Sequence, residues 1–204
     1  MTITAIEPQK GDPNRLNIFA DGKFVLGVSL RIWEKSRFAC GMEISKEDIL
    51  QLLEEENIYK AKKKAMTYLD YAEHSVKSMR DKLIRAEFDE DIARAAVDEL
   101  CDEGILDDEK YANRYAYYLY NKKMYGRHRV IMEIASKGVD RALAQSAADE
   151  QMPDDFAPMI RALAKKRVKS VKNASSNEYD KLFAYLLRYG HEYGDIKEVL
   201  DEIF

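Results

Sequence analysis

"GRHRVIMEIASKGV" (Gly126–Val139) is the stretch on which the reading of this chain turns, because "SVKSMRDKLIRAEF" (Ser75–Phe88) is built the same way. In each, a large aliphatic residue, Ile134 or Leu83, stands five places before a closing hydrophobe, Val139 or Phe88. In each, Asp follows, with an aliphatic residue three places further on: Asp140 and Leu143, Asp89 and Ile92. "LLRYG" (Leu186–Gly190) parallels Ile134–Gly138 and Leu83–Glu87, and Ile196 then comes one residue later than strict spacing. A unit of about fifty residues used three times marks a repeat array, in which each unit buries its apolar face partly on its neighbour and an elongated, curved surface results.

Working outward, the middle copy opens with "DDEKYANRYAYYLYNKK", and Gly138 suits the left-handed residue that follows many helices. Its third helix starts at Asp140 and carries Leu143 and Ala147. The first copy has "YKAKKKAMTYLDYA", with Ala61, Ala65, Tyr68, Leu69 and Ala72 on one face. Ser75 caps a second helix, with Val76, Met79 and Leu83 inward. Asp89 caps a third, with Ile92, Ala93, Ala96, Val97 and Leu100 inward. The third copy reads "FAPMIRALAKKRVKS", "EYDKLFAYLLRYG" and "DIKEVLDEIF". Before the repeats, residues 1 to 28 are short β-like runs. Leu16, Ile18 and Ala20 alternate with neighbours, and Asp21-Gly22 and Lys10–Asn14 supply turns. A short helix over Leu30–Ser36 can cover the strands, and a longer helix follows, capped by Ser45 with Asp48 three places on. The expected fold is mainly α: three tandem three-helix repeats with a small N-terminal β-hairpin or sheet. The expected segments are 1–56, 57–106, 107–152 and 153–204.

Only 9 Gly and 4 Pro punctuate the chain, which favours helix, and 34% charged residues suit long solvated helices. A net charge of −4 argues against a strongly basic nucleic-acid binder and leaves room for local basic patches. Cys40 and Cys101 match no metal spacing and no secreted disulfide framework, so a cytoplasmic setting is expected. Residues 1–20 lack a basic start followed by an apolar run, and no apolar stretch of about 18 residues exists, so neither signal peptide nor membrane span is expected. His74, His128 and His191 form no ligand cluster. No glycine-rich phosphate loop or nucleophile–base set is visible, so no catalysis, metal or cofactor is expected.

The string Gly104-Ile105-Leu106-Asp107-Asp108-Glu109-Lys110-Tyr111-Ala112 resembles the "G-L-L-D-D-x-x-F-A" signature of the RecX family. Gly126, Arg127, Arg129, Val130, Glu133, Ile134, Lys137, Gly138 and Val139 match that family's "G-x-x-R-I-x-x-E-L-x-x-K-G-I". Ser75, Lys82, Leu83 and Phe88 resemble its first-repeat pattern, from which Glu87 and Met79 depart. The likeness runs from about residue 60 to the C-terminus; the N-terminal β segment looks like an extension that some members carry. The resemblance implies a tandem three-helix architecture without catalysis. It also implies a protein that lodges in the groove of the RecA–DNA filament and restrains filament growth, ATP hydrolysis, strand exchange and co-protease action.

Individual residues carry that expectation unequally. On a helix, Tyr111, Ala112, Tyr115, Tyr118 and Leu119 share one face and read as core, which leaves Tyr117 and Tyr120 as contact residues. Lys122, Lys123, Arg127 and Arg129 flank Gly126 and are the expected electrostatic anchors, with Arg suited to two-pronged contacts. From Phe156 to Asn177 there is no acidic residue, while Arg161, Lys165, Lys166, Arg167, Lys169 and Lys172 are basic, which fits DNA phosphate, an acidic strip of protein or plain solvation alike. Lys60, Lys62, Lys63 and Lys64 read as a solvated face. Asp107 and Asp108 read as helix caps rather than metal ligands. Two other readings stand beside the filament-binding monomer. One is a free-standing DNA-binding protein with helix-turn-helix-like modules, against which the acidic net charge counts. The other is a helical scaffold.

Overall fold

The computed structural model describes residues 1–167 and 176–204, apart from the side chains of Ser176 and Asn177. The chain divides into two compact units, Met1–Ala72 with Met79–Glu103 (unit 1) and Glu73–Ser78 with Gly104–Phe204 (unit 2).

Unit 1 begins with an antiparallel meander of β1 (Ile3–Gln9), β2 (Asp12–Ala20) and β3 (Lys23–Ser29), in that order. Asp21 and Gly22 both take positive φ, 49° and 74°, as the two-residue β2–β3 hairpin turn requires. Period-two alternation puts Ile3, Leu16, Ile18, Ala20, Leu26 and Val28 on one face. They pack there against Ile32 and Trp33 of α1 (Leu30–Ser36), Ile44, and Leu52 of α2 (Lys46–Leu69). Ser45 and Asp48 close a reciprocal capping box at the start of α2: the Ser45 amide donates to Asp48 Oδ2 at 2.8 Å and the Asp48 amide to Ser45 Oγ at 3.0 Å. The two stretches read separately in the sequence, before and after Asn57, are this one uninterrupted helix. It ends at Leu69, so Ala72 lies past it and is exposed, although Ala61 and Ala65 are buried as the periodicity predicts.

After α2 come α3 (Val76–Arg85), α4 (Glu90–Asp102), α5 (Asp108–Lys123), α6 (Arg127–Ser136), α7 (Arg141–Gln151), α8 (Ala157–Arg167), α9 (Ser176–Arg188) and α10 (Tyr193–Ile203). With α2 these are nine helices in three triplets among the described residues, and α1 stands before them. Met79, Leu83, Ile92, Ala93, Ala96, Val97 and Leu100 are buried, as their spacing predicts, while Val76 is half-buried. In unit 2 one apolar core runs through both triplets, from Ala112, Leu119, Val130 and Ile134 to Ile160, Leu186, Ile196 and Leu200.

The same joint occurs twice in unit 2. At the head of α3, Ser75 Oγ donates to the Lys137 carbonyl at 2.5 Å, and the Lys77 side chain lies over Gly138. At the head of α6, the Gly126 amide donates to the Tyr189 carbonyl at 2.8 Å, and Arg129 lies against Gly190. A helix start therefore sits on the left-handed turn that closes another helix. Gly126 must lack a side chain, because a Cβ there would overlap the Gly190 carbonyl.

Candidate partner-binding surface

Helix α5 buries Tyr111, Ala112, Ala116 and Leu119. Tyr111, Tyr115 and Tyr118 stack up one side, with ring centroids 5.6 and 6.3 Å apart. Burial, reinforced by the neighbouring Tyr115, Asp108 and Glu73, pushes the Tyr111 phenol up to about 12. Tyr117 is 57% exposed. Tyr120 and Tyr118 exchange the places that helical periodicity predicts. Tyr120 is half-buried, edge-on to Phe156 at 6.1 Å, while Tyr118 is 44% exposed. The reason is a neighbour from the next triplet: Phe156 covers the side of α5 that would otherwise face water.

Two groups of cations meet at one place. Lys122 and Lys123 occupy the last turn of α5, and Lys165, Lys166 and Arg167 the last turn of α8; all five are exposed. Lys166 Nζ reaches 3.5 Å from Sδ of Met124, the left-handed residue that closes α5, so the two helix C-termini adjoin. The negative end of the α5 dipole favours cations there. Aromatic rings interleave with them. Lys123 lies 5.7 Å over Tyr118, Arg167 lies 4.3 Å over Tyr185, and Tyr185, Tyr189 and Tyr125 follow in contact at 4.4 and 5.5 Å. Lys169 and Lys172 lie outside the described residues.

Arg127 and Arg129 belong to the fold more than to the free surface. Arg127 pairs with Asp149, donates to the Pro153 carbonyl at 3.3 Å and lies over the Phe156 ring. Arg129 donates to Glu133 at 3.3 Å and to the Arg188 carbonyl at 2.8 Å, and stacks on Tyr125 at 3.9 Å. The sequence reading makes both electrostatic anchors for a partner; within the fold, α7, α9 and the loop before α8 also supply them with partners. Lys62 is likewise no solvated lysine, since it bridges Glu99 and Glu103 at 2.7 and 2.6 Å.

Both aspartates of the Asp107-Asp108 pair cap helices, but not the same one. Asp107 accepts from the Lys110 amide at 2.9 Å at the start of α5, while Asp108 accepts from the Val76 amide at 2.9 Å at the start of α3. Asp89 stands at the N-cap of α4 without a side-chain hydrogen bond. Among the described residues no group of three or more His, Cys, Asp and Glu could hold a metal, and no helix is long and apolar enough to cross a membrane.

Three family descriptions match the chain in order: the regulatory protein RecX N-terminal domain over residues 1–45, the RecX first three-helix domain over 61–100 and the RecX second three-helix domain over 107–147. The Regulatory protein RecX of Clostridioides difficile (strain 630) is 31% identical across 98% of this chain and 95% of its own. The chain belongs to the RecX family. A Regulatory protein RecX of Clostridium perfringens (strain 13 / Type A) is 28% identical over 94% of this chain and 91% of its own. A crystal structure of regulatory protein RecX superposes with a TM-score of 0.82 at 22% identity, covering 98% of both chains, and so shares the fold. RecX from Lactobacillus salivarius gives a TM-score of 0.64 at 25% identity over 72% of this chain and 96% of that one. The N-terminal sheet, weakly marked in the sequence, thus has its own RecX counterpart. The signature glycines of this RecX chain, Gly126 and Gly138, serve the repeated joint.

Proposed function

We propose that this chain is a non-enzymatic regulator that binds RecA filaments formed on DNA in the cytoplasm. Binding restrains filament growth, and with it ATP hydrolysis, strand exchange and co-protease action. The name shared by its relatives supports the regulatory role. The observation that carries the reading is the basic–aromatic patch at the joined ends of α5 and α8, in which Lys122, Lys123, Lys165, Lys166 and Arg167 stand exposed on an otherwise acidic protein. Such a patch meets an acidic protein groove or a DNA backbone by charge complementarity, with Tyr117 and Tyr118 adding apolar contact. Co-sedimentation with RecA filaments on single-stranded DNA, compared with DNA alone, tests it. Recovery in the pellet only with RecA, together with slower RecA ATP hydrolysis, is the expected result. Equal recovery on bare DNA would favour a free-standing DNA-binding protein, and no recovery with either would remove the proposal.

A further inference from the structure

Unit 1 holds a polar concavity of its own. A cavity of about 440 Å³ is lined by Asn14 and Arg15 of β2, Arg31 and Glu34 of α1, and Tyr59, Lys60 and Lys63 of α2, with Asp12 also on its wall. Its charges are unequally committed. Arg15 pairs with buried Glu56 and donates to the Gly27 carbonyl at 3.3 Å, and Lys60 stands 3.7 Å from Glu56. Glu56 also accepts the Ser29 amide at 2.8 Å, which fixes the carboxylate and so the guanidinium. Asp12 accepts from the Asn14 amide at 2.9 Å. Arg31 and Lys63 are exposed and make no ion pair among the described residues. The wall thus offers one locked guanidinium with donors to spare and two uncommitted cations. Beside them is the Tyr59 ring, with Arg31 5.9 Å from its centroid.

We propose that this cavity is a binding site for a nucleotide phosphate. Arg15, Arg31 and Lys63 would supply charge-assisted donors to the phosphate oxygens, and Tyr59 a flat face for the attached sugar or base. The volume exceeds the needs of a bare phosphate and suits a nucleotide, either free or within a single strand. The test needs no RecA, so its failure is distinct from failure of the filament-binding reading. Inorganic phosphate, ADP and a short oligothymidylate are titrated by calorimetry into the full chain, its Arg31→Ala/Lys63→Ala double variant, and a Lys122→Ala/Lys123→Ala variant. Arg31→Ala/Lys63→Ala should weaken ADP or oligothymidylate at least tenfold. For the oligonucleotide it should flatten the slope of log affinity against log salt by about 1.4, the share of two phosphate contacts on a single strand. Loss on ADP assigns a free nucleotide, and loss on the oligonucleotide alone assigns a strand. No binding of either by the native protein, or binding that only the Lys122→Ala/Lys123→Ala variant reduces, would overturn the site. Single Arg31→Gln and Lys63→Gln variants, each expected to lose part of the affinity, carry the comparison if the double variant does not fold.

Discussion

Three residues at equivalent places, Glu87, Gly138 and Gly190, take left-handed φ values of 67°, 87° and 85°. A side chain in that region costs about 1–2 kcal/mol. Glu87→Gly relieves this strain against the greater freedom of Gly in the unfolded chain, and should stabilise by about 0.5–1 kcal/mol, read as a raised midpoint in urea. The two glycines differ in what a methyl group would meet. At Gly138 it meets the flexible Lys77 side chain, whereas at Gly190 it meets the Arg129 backbone as well as its Cβ. Gly190→Ala should therefore destabilise more than Gly138→Ala in the same titration. Next to Gly190, His191 is buried edge-on to Phe156, and neither ring nitrogen has a well-formed hydrogen bond. Burial pushes its imidazole below the ordinary value of 6.5, only partly offset by the Met124 carbonyl and Asp195. Unfolded chains then bind a proton that folded ones resist. The sign is a loss of stability as pH falls below about 6.5, with no contribution well above it. His191→Phe should flatten the melting temperature between pH 7.5 and 5.5; an unchanged slope would place the titration elsewhere.

At the scale of elements, Glu56 ties α2 to the sheet. Its carboxylate, 1% exposed, is held by the Arg15 guanidinium of β2 and the Ser29 amide at the end of β3. Burial pushes the carboxyl up, but the Ser29 and Arg15 hydrogen bonds outweigh it and hold the group below its ordinary value. Glu56→Ala strands Arg15 and should cost about 3 kcal/mol, toward the lower end for a broken buried pair because Arg15 reaches water. Thermal unfolding of the variant checks this. In the sequence Glu56 is one acid in a Glu-rich run, and its burial depends on a strand 41 residues away. The joint in unit 2 offers a complementary test. Gly126→Ala sets a methyl group against the Gly190 carbonyl, which has no slack, and should cost about 1–3 kcal/mol by overpacking. Faster amide exchange in α9 and α10 would locate the damage.

For the whole molecule, the five exposed cations at the ends of α5 and α8 and the two arginines bound to acids and carbonyls should behave differently. Reversing Lys122, Lys123, Lys165 and Lys166 to Glu should leave thermal unfolding within about 0.5 kcal/mol and weaken inhibition of RecA strand exchange most at low salt, the gap from wild type narrowing as salt rises because screening has already weakened the native attraction. Reversing Arg127 and Arg129 removes the Asp149 pair and the Arg188 carbonyl contact, and should lower the melting temperature before binding is considered. Inhibition by wild-type and lysine-reversed protein at two salt concentrations, beside melting curves for both sets, separates the cases. The sequence by itself determined the helix periodicity, the caps at Ser45, Ser75 and Asp107, the Asp21-Gly22 hairpin and the threefold recurrence, because each depends on residues close along the chain. Only the tertiary structure decided that Phe156 buries Tyr120, that Asp108 caps α3, that Glu56 is interior and that the ends of α5 and α8 form one basic patch. Those outcomes depend on which distant element covers which face, and no local pattern encodes that.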